Sequence, residues 1–485
     1  MRGPLVVVGD AFLDRDIVGT SDRLCPDAPV PVVDALTELD RPGGAALAAL
    51  LARGFAGHEV VLVTALGDDP AGARITALLC GEVQVVAVPL DSPTPEKIRI
   101  RVAGQSLLRV DRGSPAATPG PLHPAAREAI LGAGAVLVSD YGRGLAAHPE
   151  VRELLRRVAA RRPVIWDPHP RGPRPVPGVL LVTPNAREAA QLSGHGIVGV
   201  SLPGVGAPGA GLAALAANAA ALRRVWAVTA VAVTMGADGA LLVLGEPEPL
   251  VVPAPVVTVG SDTCGAGDAF AAAATVGLAD GEVLSEAVAE GVRQASAFVS
   301  AGGAAAAAEG LLARGGAGHA AAGSTLADPD RGVPALLARV RAVGGTVVAT
   351  GGCFDLVHPG HIATLQAARR LGDCLVVCLN SDDSVRRLKG PDRPISPEAD
   401  RARVLSALTG VDAVVVFDED TPERVLAELR PDIWVKGGDY AGGELPEAEL
   451  VRSWGGQAVV VPYLDGRSST GLVTAARRGL PAIPS

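Results

Sequence analysis

Short runs of consecutive apolar residues recur along the chain and are separated by longer stretches rich in Ala and Leu. The runs Leu5–Val8, Val60–Thr64, Ala135–Ser139, Val164–Asp167, Ala227–Thr234, Thr346–Thr350, Cys374–Leu379 and Ala413–Phe417 are short, mostly apolar and rich in β-branched residues. Such runs predict strands buried on both faces, and their alternation with helical stretches predicts an α/β fold with largely parallel sheets. Near the middle the pattern fails. From about residue 301 to 332 the chain is mostly Ala and Gly, with few side chains large enough to hold a core. This reads as a linker between two domains, at 1–312 and 334–485, with 313–333 between them. A helix from Pro334 to Val343 leads into the second domain, and no internal repeat relates the two halves.

Composition narrows the picture. Hydrophobic residues make up 48% of 485 positions and charged residues 20%, which fits globular domains; aromatics are only 3%, so the cores are expected to be aliphatic. The formal net charge of -9 argues against a nucleic-acid partner, which needs a basic face, but leaves room for small phosphorylated ligands in a local basic pocket. Six cysteines are too few for a disulfide scaffold, and Cys374 and Cys378 fall within an apolar strand run. With no signal-peptide pattern at Leu5–Val8 and no apolar run of membrane-spanning length, the expected setting is the cytoplasm, with no membrane partner.

The first half carries Asp262-Thr-Cys-Gly-Ala-Gly-Asp268 ahead of an Ala-rich helix. The glycines Gly265 and Gly267, with Ala266, let the backbone approach a phosphate, and the helix N-terminus offers unpaired N–H groups. Asp268 then stands where a carboxylate could take a proton from an attacking hydroxyl: an anion hole plus a base, the parts of a phosphoryl-transfer site. Lys97, Arg99 and Arg101 fall on one face of a strand at period two, a basic stripe suited to an anionic substrate group; a charged edge strand is the competing explanation. Gly204-Val-Gly206-Ala-Pro-Gly209 fits a dinucleotide fingerprint, but Pro208 breaks the turn and the acidic partner is missing. The run Arg156-Arg157 to Arg161-Arg162 reads as an exposed helix face.

Residues 1–310 resemble the ribokinase (PfkB) family of sugar kinases. The resemblance rests on Asp262 to Asp268, Gly43-Gly44, Asn185-Ala-Arg-Glu188 and Val233-Thr-Met-Gly236-Ala-Asp-Gly239. It is closer to the D-glycero-β-D-manno-heptose 7-phosphate kinases through Gly9 to Arg15, Cys25 to Val33, Arg41 to Ala46, Glu96 to Arg101 and Leu108 to Asp111. It implies ATP as phosphoryl donor, with Mg²⁺ organised indirectly by Asn185 and Glu188. ATP would be bound at Gly236, Gly239 and Gly265 to Gly267, and sugar phosphate at Asp14, Gly43, Gly44, Lys97, Arg99, Arg101 and Arg109. Leu47 stands where the family usually carries an Asn that contacts sugar hydroxyls, and His169 where relatives often carry Lys.

In the second half, Gly352-Cys-Phe354-Asp355-Leu-Val-His358-Pro-Gly-His361 follows a strand and opens a helix. His358 and His361, three apart, face one side, and at a helix N-terminus two imidazoles can donate to a phosphoryl group gaining charge. A zinc site is the rival reading, but the spacing is not His-Glu-x-x-His and no third ligand is apparent. This half resembles the cytidylyltransferase-like nucleotidyltransferases, and within them the heptose 1-phosphate adenylyltransferases. The matching segments run through Leu379 to Asp383, Arg387 to Gly390, Arg393 to Glu398, Arg401 to Val411, Asp420 to Glu423, Val435 to Tyr440 and Gly466 to Thr470. Gly351 stands where relatives often carry Asn. The resemblance implies a Rossmann-like fold and catalytic roles for His358 and His361. It assigns nucleotide binding to Gly352, Phe354, Asp355, Lys389, Lys436, Gly437, Asp439, Ser468, Ser469 and Thr470. Two other readings stay open: the same folds acting on a different sugar phosphate, or a degenerate kinase module beside an active transferase. The oligomeric state is open too, a homodimer included.

Overall fold

The structure is a computed structural model that describes residues 3–194, 208–255, 263–304, 333–438 and 445–462, apart from positions 56, 58, 104, 115–116 and 246–247. Asp262, Asp439, Ser468, Ser469, Thr470, most of the 204–209 fingerprint and nearly all of the 313–333 linker lie outside the described residues. The chain divides into two compact units: Met1–Gly194, Ala221–Ala237 and Ala254–Gly315 form one, and His195–Ala220, Asp238–Pro253 and Gly316–Ser485 the other.

In the first unit, strands β1 (Leu5–Gly9), β4 (Val60–Leu66), β5 (Gln84–Pro89), β8 (Ala135–Ser139), β9 (Val164–Asp167), β10 (Leu181–Val182) and β11 (Ala230–Thr234) build a parallel sheet in the order β11-β10-β9-β8-β1-β4-β5. Every residue of β1, β4 and β8 is buried, as continuous apolar runs require. Burying each large side chain of this kind is worth about 1.5–3 kcal/mol. A second, four-stranded sheet joins β2 (Ala11–Leu24), β3 (Pro31–Gly44), β6 (Glu96–Val102) and β7 (Gln105–Arg112) in the order β3-β2-β6-β7. Here β2 runs antiparallel to β3 and parallel to β6, and β6 antiparallel to β7. The Ala-rich helix Ala266–Asp280 is buried from Asp268 to Leu278. It lies close to helix Leu284–Ser300 because Gly291 lacks a side chain; a Cβ there would come within 2.9 Å of the Phe270 ring.

The second unit contains the antiparallel pair β12 (Ala240–Val243) and β13 (Leu250–Val252). Its parallel sheet has the order β16-β15-β14-β17-β18, from β14 (Val347–Gly352), β15 (Cys374–Asn380), β16 (Ala413–Phe417), β17 (Ile433–Gly437) and β18 (Gln457–Val461). Cys374 and Cys378 are buried in its core with Val376, Trp434 and Leu426, and burial pushes both thiols up to about 12. They are packing residues.

Candidate active sites

The first site gathers at the C-terminal ends of the first unit's parallel strands, where α/β sheets present ligand-binding loops. Gly265 is the residue before helix Ala266–Asp280 and holds φ +86°, a conformation that disfavours any side chain. A Cβ there would also meet Leu47 Cδ2 at 2.8 Å and the Phe298 ring at 3.2 Å. Leu47 is thus a buried support beneath the glycine turn. Among the described residues, a Cβ on Gly267 would meet nothing within 4 Å.

Asp268 occupies the first turn of that helix and is 6% exposed. The Tyr141 hydroxyl sits 2.9 Å from each of its carboxylate oxygens. Burial pushes the Asp268 carboxyl up to about 7, and the Tyr141 hydrogen bond and the Lys97 charge work against that rise. Tyr141 is held by Asp10, a buried carboxylate at the end of β1 that accepts the backbone N–H groups of Tyr141 (3.1 Å), Arg143 (2.9 Å) and Leu145 (3.2 Å).

The basic stripe lies along β6, and its charges are largely matched from the neighbouring strand. β2 pairs with β6 in parallel, and Arg99 donates to Asp14 at 2.8 Å while Arg101 donates to Asp16 at 3.1 Å. Arg41 also reaches Asp16, at 2.8 Å. Arg109 on β7 is exposed and forks onto Asp111 at 2.7 and 2.6 Å. Lys97 differs: its ammonium lies 3.4 Å from the Phe12 ring centroid and 5.1 Å from that of Tyr141, and burial brings it down to about 8. Gly43 and Gly44 let the end of β3 press onto this group. A Cβ on Gly43 would lie 2.4 Å from Phe12 and 2.7 Å from Asp14 Oδ2, and Gly44 holds φ +60°.

Asn185 and Glu188 form a reciprocal capping box on helix Ala186–Leu192: the Asn185 side chain accepts from Glu188 N–H at 3.0 Å, and Glu188 Oε2 from Asn185 N–H at 2.9 Å. Burial raises the affinity of Glu188 for a proton, and that of Asp167 rises through burial and through repulsion by Glu188 and Asp268. Gly236 and Gly239 bracket a short turn, both with left-handed backbones, at φ +63° and +95°.

The second site stands at the C-terminal end of β14. Gly351 is half-buried beside Trp434; a Cβ would meet its ring at 2.6 Å, so in this chain a larger residue there would require the Trp434 ring to shift. Gly352 ends the strand, and Phe354 follows with φ +44° and its ring 5.0 Å from that of His361. His358 caps helix Pro359–Arg369, with Pro359 in its first turn. The two imidazoles stack at 3.8 Å, and burial and His358 together push His361 down to about 4. His361 is therefore a neutral imidazole at physiological pH, able to donate or accept but not a standing cation.

Asp355 is wholly buried and turned away from open space. It accepts from Arg393 Nε and from the backbone N–H groups of Ile395 (2.6 Å) and Ser396 (3.0 Å), so it organises the 393–396 loop. Arg401, 2% exposed, fastens the same loop: it donates to the carbonyls of Ser396, Cys353 and Asn380 and to Asp382, at 2.6–2.9 Å. Lys389 is exposed at the end of helix Asp382–Lys389, close enough to His361 to disfavour its protonation. Lys436 pairs with the buried Glu447 at 2.9 Å. Gly437 allows β17 to approach the site helix, since a Cβ would meet Thr364 Oγ1 at 2.8 Å.

Sequence reasoning passed over Tyr141, Asp10, Arg143 and the fastening role of Arg401. The signal for the first three was the polar, Gly-rich turn Ser139-Asp140-Tyr141-Gly142-Arg143-Gly144 directly after a buried strand. Among the described residues no group of three or more His, Cys, Asp or Glu side chains is placed to hold a metal ion, and no helix is long and apolar enough to cross a membrane.

A glycine-supported helix N-terminus over a buried carboxylate, and in the other unit a histidine pair at a helix start, are sites for phosphoryl and nucleotidyl chemistry. Residues 4–310 match the pfkB family carbohydrate kinases and residues 349–460 the cytidylyltransferase-like proteins. The chain is thus a carbohydrate kinase joined to a nucleotidyltransferase. Bifunctional protein HldE of Streptomyces coelicolor is 57% identical over 481 residues, covering 99% of this chain and 97% of that one; HldE of Azorhizobium caulinodans is 38% identical, with 98% of each chain covered. Arabidopsis thaliana ribokinase, solved with ribose and ATP, aligns with a TM-score of 0.49 and 21% identity over 65% of this chain and 100% of that one. The chain belongs to the bifunctional HldE family.

Proposed function

We propose that the first unit phosphorylates D-glycero-β-D-manno-heptose 7-phosphate at C1 with ATP. The second unit then transfers an adenylyl group from ATP to heptose 1-phosphate, releasing pyrophosphate and ADP-heptose. The observation that carries the kinase reading is the buried Asp268 in the first turn of a glycine-led helix, with the Tyr141 hydroxyl 2.9 Å from each of its carboxylate oxygens. Asp268 takes the C1 hydroxyl proton as the oxygen attacks the γ-phosphorus and ADP departs; the turn Gly265 to Gly267 offers backbone N–H groups to the charge that develops. A carboxyl near 7 is matched to proton transfer at neutral pH. Asp167 and Glu188, half-buried hard-oxygen donors that repel one another, fit a role around Mg²⁺ carried in on ATP, where the ion would neutralise phosphate charge. Asp14, with Gly43 and Gly44, lines the sugar side.

In the second unit the sugar phosphate oxygen is already ionised, so no base is needed. It attacks the α-phosphorus, and His358, His361, Lys389 and Lys436 hold and neutralise the phosphates. Asp355 acts as a positioning residue through the 393–396 loop. The C7 phosphate has to be removed by a separate phosphatase between the two steps. We place the domains at 1–312 and 334–485 and the enzyme in the cytoplasm.

The test is paired. Asp268→Asn abolishes sugar-dependent ADP formation while pyrophosphate release with sugar 1-phosphate persists; His358→Ala does the reverse. Equal ADP formation by wild type and Asp268→Asn would refute the kinase assignment, and a small sugar-phosphate panel identifies the preferred acceptor.

A further inference from the structure

The arginines of the stripe are matched by Asp14, Asp16 and Asp111, yet another group of cations near Asp268 is not. Arg143 follows Tyr141 in the loop held by Asp10, and its Nη1 is buried with no hydrogen-bond partner. Arg171 and His169 come from the turn after β9 and pack on the same loop. A Cβ on Gly142 would lie 2.7 Å from His169 Nδ1 and 3.0 Å from Arg171 Cβ, and Gly142 holds φ +67°. His169 Nδ1 accepts the Arg171 N–H at 3.1 Å, which fixes that turn.

These groups share one electrostatic neighbourhood. Arg143 feels the charges of Arg171 and Arg109, and His169 those of Arg171, Arg143 and Lys97. Of the nearby carboxylates, Asp111 is taken up by the Arg109 fork and Asp10 by three backbone N–H groups; Asp140 accepts the Gly142 N–H at 2.8 Å through one oxygen, the other is buried against Gly172 without a partner, and burial pushes the carboxyl up to about 7, which weakens it as a counter-charge. Positive charge gathered without a matching anion opposes folding unless a ligand supplies one. Lys97 acts electrostatically on both the base and His169, which links the two neighbourhoods. A substrate with a hydroxyl at Asp268 and a dianion at its other end would span the two.

The geometry points to Arg143 and Arg171, seated with His169, as the subsite that reads the phosphate the sugar already carries before the kinase acts. This rests on the proposed kinase reading and deepens it: the acceptor class is a sugar monophosphate whose phosphate is remote from the reacting hydroxyl. Guanidinium groups suit a phosphate because they donate in parallel pairs. The histidine is held as a neutral imidazole by burial and by its cationic neighbours.

The experiment uses the full chain with Arg143→Gln and Arg171→Gln. The steady-state readout compares sugar phosphate with the same sugar lacking its phosphate; the equilibrium readout is binding of inorganic phosphate by calorimetry. Each substitution should raise KM for the sugar phosphate about tenfold or more, as loss of one charge-assisted contact implies. The slow rate on the unphosphorylated sugar should stay unchanged in Arg171→Gln, the transferase rate should stay unchanged in both variants, and phosphate binding should weaken. Arg143→Lys should restore part of the loss. Arg171 is exposed, so its variant folds even if Arg143→Gln does not. Unchanged KM and unchanged phosphate binding in Arg171→Gln would overturn the subsite. If wild type turned over no sugar phosphate, the kinase reading would fall, and loss of phosphate binding in the variants would still uphold the anion site.

Discussion

Replacing Tyr141 with Phe removes one hydroxyl and nothing else from the first site. That hydroxyl is 2.9 Å from both oxygens of Asp268 and stabilises the ionised carboxylate. With it, the carboxyl sits at about 7. A hydrogen bond to a charged group is worth about 1.5–3 kcal/mol, and one pKa unit is about 1.4 kcal/mol, so the substitution should carry Asp268 up by roughly one to two units. The sign follows directly. Asp268 acts as a base only when ionised, so activity falls as pH drops through its pKa, and raising that pKa moves the loss to higher pH. At pH 7 the ionised fraction drops from about one half to between roughly one tenth and one hundredth, a fall in kcat of about 5- to 50-fold. Near pH 9.5 most of the deficit should vanish. The assay is a pH profile of sugar-dependent ADP formation from 5.5 to about 10, with transferase activity of the same preparation as the control for folding. A uniform drop at every pH, with the acid limb unmoved, would refute the reasoning and make Tyr141 a packing residue only.

Gly265→Ala forces a side chain into a backbone at φ +86° and against Leu47 and Phe298, at a conformational cost of about 1–2 kcal/mol before any clash. It should reduce kinase kcat/KM at least tenfold while pyrophosphate release is kept, which parallel assays on one preparation would check. Arg401→Met strips donors from three carbonyls and from Asp382. Breaking such a buried set should lower stability by about 3–5 kcal/mol, read by chemical denaturation of the full chain, and a change below about 1 kcal/mol would argue against the network.

The parallel strands were legible because double burial leaves an unbroken apolar run, as in β1, β8, β9 and β15; β16 is equally apolar, though at the sheet edge it is mostly half-buried. The four-stranded sheet was less so. Much of β3 and all of β7 are half-buried or exposed, so neither carries a continuous apolar signal. The glycine turn before Asp268 and the histidine pair announced themselves through local spacing. Their partners did not. Tyr141 lies 127 residues from Asp268, and Asp14 is 85 from Arg99, so pairing across strands decided which cations remained available. Spacing along β6 gave the stripe its shared face, but only the parallel register with β2 revealed that Asp14 and Asp16 share that space. Leu47 reads in sequence as a missing polar contact and in the fold as the floor under Gly265.

The grip of Asp10 on residues 141 to 145 has a consequence for altering this enzyme. One carboxylate holds the loop that carries both Tyr141 and Arg143, so the two side chains share one support. A change made at Arg143 to admit a new acceptor would tilt Tyr141 as well and detune the base. Arg171 belongs to a different turn, fixed by its own contact with His169. Diversification of acceptor choice, in the laboratory or by descent, has its less constrained route there.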